Sequence, residues 1–165
     1  MEGSLTGQLL IAAPQLADYF RRSVVLVLSH SHEGAMGAVL NRPTETAVAE
    51  AVPELADLAG KDALVHSGGP VDPTAVLALG DVDGTPELLG REDTGRELRR
   101  VRVFAGYAGW APGQLDDEIE RDAWIPTPAE PGDPFAEADL WPEVLQRKGG
   151  GYALMATMPE DPTLN

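Results

Sequence analysis

Histidine, arginine, asparagine and glycine fall in this chain at spacings that fit proton transfer, metal ligation or anion binding. His30-Ser31-His32-Glu33 sets two imidazoles two residues apart. If a strand runs on from Val24, they share one face, and His66 would complete a three-histidine site. Nothing in the sequence brings His66 to that pair. The plainer reading is one histidine hydrogen-bonded at a strand end and two solvated, so no metal and no cofactor is expected. Histidine exchanges protons near neutral pH, which makes His30 the candidate general base of any catalytic reading.

Two glycine-rich stretches read as tight turns, Gly34-Ala35-Met36-Gly37 and Ser67-Gly68-Gly69-Pro70. Their backbone N–H groups can cradle an anion, though more often such turns only reverse a chain. The most distinctive run is Phe104-Ala-Gly106-Tyr107-Ala-Gly109-Trp110-Ala-Pro112-Gly113-Gln114-Leu115. Large rings alternate there with small residues, so Tyr107, Trp110 and Gln114 could wall a pocket or fill a strand-to-helix corner. A small-molecule site between the Gly68-Gly69 turn and the Tyr107/Trp110 corner would use Arg22 for an anionic group and Ser23 and Asn41 for hydrogen bonds. No P-loop, dinucleotide fingerprint or nucleophile elbow is present.

The elements that would position these residues are short. Apolar or β-branched runs predict strands over 9–12, 24–28, 37–40, 64–66, 75–79 and 101–107, with 24–28 covered on both faces. Helices are predicted over 44–58, capped by Thr44 and open to splitting at Pro53, over 112–123 with Pro112 in the first turn, and over 138–148, stopped by Gly149-Gly150-Gly151. Four prolines between Pro126 and Pro134 exclude regular structure, and 81–95 reads as a loop. Strands and helices intermingle without strict alternation, which favours an α+β domain.

Composition narrows the function classes. The chain has 165 residues, no cysteine, and 12 basic against 27 acidic side chains, for a net charge of −15. One domain is expected, with no disulfide framework, thiolate metal site or cysteine nucleophile. Residues 113–165 carry 12 acidic and 3 basic side chains. Such acidity repels phosphate backbones and anionic lipids, so direct DNA binding and membrane attachment are disfavoured. Only 91–102 runs the other way, with five arginines against three acids, a net charge too small to grip a polyanion. No export signal or membrane span is visible, which predicts a cytoplasmic protein.

Several motifs agree in order and spacing with one bacterial family. Gly7-Gln-Leu-Leu-Ile-Ala-Ala-Pro14, Phe20-Arg21-Arg22-Ser23-Val24-Val25, His30, Gly34-Ala-Met-Gly37 with Asn41-x-Pro43, and Gly68-Gly69-Pro70 come first. Gly106-Tyr107-Ala-Gly109-Trp110, Gly113-Gln114-Leu115-x-x-Glu118-Ile119, Trp124 and Met158-Pro159 complete the set. Together they resemble the YqgE/AlgH family across residues 7–159. The resemblance implies a single α+β domain over 1–165, with a split or bifurcated β-sheet curled into a partial barrel and helices packed around it. It implies a bacterial protein without an established activity, non-enzymatic, working through a protein partner or small ligand, as a monomer or weak oligomer. One branch of the family is called a transcriptional regulator. Arg22, Ser23, His30, Asn41, Gly69, Tyr107, Trp110 and Gln114 match family positions and become candidates for a shared surface, and Gly68 joins them through the turn. Thr44 and the 126–134 connection depart from the pattern.

Overall fold

A computed structural model describes residues 4–16, 18–82, 85–89 and 100–157. Among these, nine strands form a mostly antiparallel sheet: β1 (Gln8–Ala12), β2 (Val24–Ser31), β3 (Gly34–Val39), β4 (Pro43–Ala47), β5 (Leu64–Ser67), β6 (Val71–Val82), β7 (Thr85–Leu88), β8 (Val101–Trp110) and β9 (Trp124–Pro128). The path runs β4-β5-β8-β3-β2-β1-β9, with β6 and β7 branching from it. The long β8 makes the split. Its last residues, Ala108 to Trp110, pair with β3, while its earlier ones pair with β6 and, in parallel, with β5. No pairing among the described residues joins β4 to β9, so the sheet is not a closed barrel.

Alternation along the central strands explains why both faces must be covered. Leu9 and Ile11 of β1 and Val24 and Leu26 of β2 enter one apolar cluster. Leu10, Ala12, Val25 and Val27 enter another on the opposite face. The first cluster is closed by α4 (Leu140–Lys148), which buries Leu140, Trp141, Val144 and Leu145. At ~1.5–3 kcal/mol for each fully buried large side chain, that face far outweighs the marginal stability of a nine-residue helix alone. The second cluster is closed by α3 (Gln114–Glu120), through Leu115. A third, smaller cluster joins Val48, Val52, Val65 and Val103 beneath α1 (Val48–Ala51) and α2 (Ala56–Ala59).

Several sequence expectations change. Residues 44–47 are strand: the Thr44 hydroxyl donates to Val65 O of β5 instead of capping a helix. Pro53 does split the helical stretch beyond them, into α1, a 3-10 turn and α2. Gly34 to Gly37 lie in β3, so the turn precedes them. Pro126 and Pro128 sit in β9, because an edge strand has one side on which a missing N–H costs nothing. Asp133–Phe135 forms a 3-10 turn. Within 81–95, β6 continues to Val82 and β7 turns back along it; the rest of that stretch, with Arg91, Arg96 and Arg99, lies outside the described residues, as do Met158 and Pro159. α3 begins only at Gln114, since Gly113 takes a left-handed conformation before it. α4 does stop at Lys148 before Gly149, as expected, and a separate short helix, α5 (Gly151–Met155), follows. No helix among the described residues is long and apolar enough to cross a membrane.

Candidate functional site

The family-matched residues gather in three places, each with its own local reason. The first is the bend before β2. Arg22 holds a left-handed backbone, φ 55°, a conformation that costs a non-glycine residue of order 1 kcal/mol. Asn41 secures it: its Oδ1 accepts from Val24 N at 3.0 Å, and its Nδ2 donates to Arg22 O at 2.9 Å and to Asp139 Oδ1 at 3.0 Å. The Arg22 guanidinium lies 4.5 Å from the centre of the Trp141 ring. Fully buried Ser23 donates to Phe20 O.

The second place is the crossing of the Gly68-Gly69 turn over β8. A Cβ on Gly69 would fall 2.0 Å from Tyr107 C, and one on Gly106 would fall 2.4 Å from Gly69 O. Bare backbone therefore lies against bare backbone. The turn itself is pinned by Gly68 N to Ala105 O and Val39 N to Gly68 O, both 2.8 Å.

The third place is the corner after β8. Trp110 stacks on Phe20 and meets Trp124 edge-on. Both indole Nε1 atoms donate to Glu118 Oε1 at 3.0 Å, and Gln114 Nε2 donates to Glu118 Oε2 at 2.8 Å. Gln114 Oε1 in turn accepts from Ala111 N, at the start of the helix. His30 stands in none of these groups. Its Nδ1 accepts from Leu5 N at 3.0 Å, and its Nε2 lies 3.4 Å from Asp116 Oδ1. No cluster of three His, Cys, Asp or Glu among the described residues could hold a metal ion.

Elsewhere lies a groove of about 840 Å³, between the start of β8, β5 and α2 on one side and residues 135–139 on the other. Asn41 reaches it from the first group. Its charged centre is Arg102, whose side chain is only 12% exposed. Arg102 Nη1 donates to Ala136 O at 2.7 Å and to Pro134 O at 3.3 Å, while Nη2 lies 3.3 Å from Glu137 Oε1. Burial pulls the guanidinium below its ordinary pKa, and Glu137 only partly opposes it. His66 lines the same groove, its ring 5.8 Å from that of Phe104. Burial first, then the Arg102 charge, lowers its pKa from 6.5 to about 4, so it is neutral at neutral pH. Arg100, over the Phe135 ring and paired with buried Asp81, completes that wall.

The segment over the groove is fastened at both ends. Arg147 of α4 grips buried Asp133 with two bonds, 3.0 and 2.9 Å, and also pairs with Glu130. At the other end Asp139 caps α4 through Trp141 N and accepts from Asn41.

Sequence reasoning misses this site. Arg102 reads in sequence only as the last charge of a mixed-charge stretch entering the 101–107 strand, although a charge alternating with the core valines Val101 and Val103 is a usable signal. His66 stands out in sequence only as a metal ligand. Glu137 and Asp139 carry no signal there, because their role depends on a segment folding back over β8.

The architecture defines a class first: a split, open sheet in which β8 serves both halves, with a groove at that strand's start and an aromatic corner at its end. The chain belongs to the AlgH-like family (DUF179), whose profile matches residues 9–153. It is 44% identical to a UPF0301 protein of Streptomyces coelicolor, covering 98% of this chain and 96% of the relative. A UPF0301 protein of Thermobifida fusca is 42% identical over 98% of this chain and 96% of its own length. Among solved structures, protein DIP2367 of Corynebacterium diphtheriae superposes with a TM-score of 0.82 at 31% identity, covering 93% and 92% of the two chains. The solution structure of AlgH from Pseudomonas aeruginosa gives 0.73 at 26%, covering 96% of each.

Proposed function

We propose that this protein is a cytoplasmic binding protein that takes a small ligand into the groove over β8 and has no catalytic chemistry of its own. One observation carries the reading: Arg102, held through Nη1 by two backbone carbonyls, lines an 840 Å³ groove, a volume typical of small-molecule sites. A hydrolytic reading needs a base near the working pH. His66, the histidine in the groove, is too weak a base at about 4 to serve well at neutral pH. Three family-matched side chains, those of Asn41, Trp110 and Gln114, are by contrast spent on internal bonds, which supports a scaffolding task for them.

A regulatory role then means that ligand occupancy alters what a protein partner meets. The net charge of −15 argues against direct control through duplex DNA. The test is a thermal-shift screen of nucleotides, carboxylates, amines and divalent metals against the wild type and a Leu58→Trp variant that narrows the groove. A ligand that selects the folded state raises the melting temperature. The reading requires a shift in the wild type that the narrowed groove loses. Wild-type shifts that survive Leu58→Trp, or no shift with any compound, would count against it.

A further inference from the structure

We infer that Glu137 is an internal stand-in for the ligand, and that the groove takes a small molecule whose anionic head, carboxylate or phosphate monoester, replaces Glu137 on Arg102. This rests on the groove being a ligand site and adds the charge of the ligand and the way it enters.

The two partners of the Arg102–Glu137 pair are unequally placed. Arg102 is mostly buried and anchored through Nη1, which leaves Nη2 in a fixed position. The Glu137 side chain is 94% exposed and meets Nη2 at 3.3 Å. A carboxylate this exposed gains little from the contact, since solvent screening and side-chain entropy offset most of the attraction. The buried cation is therefore under-compensated, as its lowered pKa also indicates. An anion entering the groove can approach Nη2 to about 2.8 Å, while Glu137 swings into water at small cost.

Other charges in the groove do not decide the matter against an anion. Asp139 is occupied by Asn41 Nδ2 and Trp141 N. Asp57 and Asp62 lie on the exposed outer wall, on and just after α2. Neutral His66 neither attracts nor repels an anion by charge, and its Nδ1 is turned to Leu64 O at 3.3 Å. The apolar lining from Leu40, Leu58 and Ala63 suits a compact, uncharged body behind the head. Screening over ~8 Å at physiological salt keeps most of the protein's negative charge from opposing the anion once it is in place.

The test uses calorimetry in low-chloride buffer with four probes, phenyl phosphate, benzoate, benzyl alcohol and benzylamine, against the wild type, Glu137→Gln, Arg102→Lys and Leu58→Trp. We expect phenyl phosphate or benzoate to bind the wild type, and whichever binds names the head group. Binding should tighten about twofold, and at most about fivefold, in Glu137→Gln, where the internal competitor is gone. Arg102→Lys, checked for folding by near-ultraviolet circular dichroism, should weaken it by about tenfold or more, since a point charge cannot reproduce the fixed guanidinium fork. Equal anion affinity in the wild type and Glu137→Gln overturns the displacement. Binding by benzyl alcohol or benzylamine alone, lost in Leu58→Trp, overturns the anionic head and leaves the groove as a ligand site. Silence of every probe against all four proteins tells against both.

Discussion

At its two ends β8 treats a charged group in opposite ways. Near the far end, Glu118 accepts from Trp110, Trp124 and Gln114, so both of its oxygens are engaged, one by two buried indoles and the other by Gln114 at the surface. At the near end, Arg102 spends one arm on backbone and holds out the other to a carboxylate in open solvent. The first arrangement is complete without any other molecule, and the second is completed only at an exposed and exchangeable contact. Charge brought into apolar surroundings is worth its desolvation only when fully partnered. The difference marks the aromatic corner as framework and the groove as the place where something else can dock.

The most severe disturbance falls between the two ends, at the crossing they share. Gly69→Ala forces a Cβ to within 2.0 Å of Tyr107 C, in a backbone conformation at φ 154° that side chains rarely adopt. Urea unfolding should show a loss above ~4 kcal/mol, a large fraction of the total stability of an ordinary domain, with both ends lost together. At the corner alone, Glu118→Ala leaves two indole N–H groups without their acceptor. The expected cost is ~2–4 kcal/mol, read by urea titration, with a red shift of tryptophan emission and unchanged ligand affinity at the groove.

At the groove the effects are smaller and depend on pH. The unfolded chain protonates His66 at about 6.5, whereas the folded one resists until about 4, so between those values unfolding takes up a proton. The stability His66 contributes at neutral pH is lost as pH falls through that window. Allowing for partial solvent screening, the loss is roughly 1–2 kcal/mol, and His66→Gln should flatten that part of a stability-versus-pH curve. The smallest effect belongs to Glu137→Gln. It should change stability by less than ~0.5 kcal/mol, because the carboxylate it removes is almost wholly exposed. A cost near that of Glu118→Ala would erase the distinction between the two ends.

Much of the framework is legible in sequence because it depends on short-range pattern. Val24 to Val27 read as a strand covered on both faces, and their side chains do divide between two clusters. Leu140, Trp141, Val144 and Leu145 read as one helix face and bury as one. The rest is hidden for physical reasons. Pro126 and Pro128 argue against a strand until it is known that β9 lies at an edge. Thr44 is as suited to a cap as to a strand, and only the acceptor on Val65 decides between them. At the candidate site, Asn41 stands out by its motif, but its partners Arg22 and Asp139 lie 19 and 98 residues away. The groove exists because residues 133–139 fold back over β8, held by Arg147, and no local pattern encodes that return.

Among the described residues the open sheet leaves three edge strands, β4 and β9 at the ends of its path and β7, with Pro86 and Glu87, at the end of its branch, and all are poor templates for another chain. β9 carries Pro126 and Pro128, which have no N–H to offer an incoming strand, and β4 begins at Pro43 and carries Glu45. Unpaired edges invite strand-on-strand growth, and proline and charge are the usual protections against it. A sheet that never closes into a ring can thus stay at high concentration without seeding fibrils, its solubility set as much by what its margins refuse as by its surface charge.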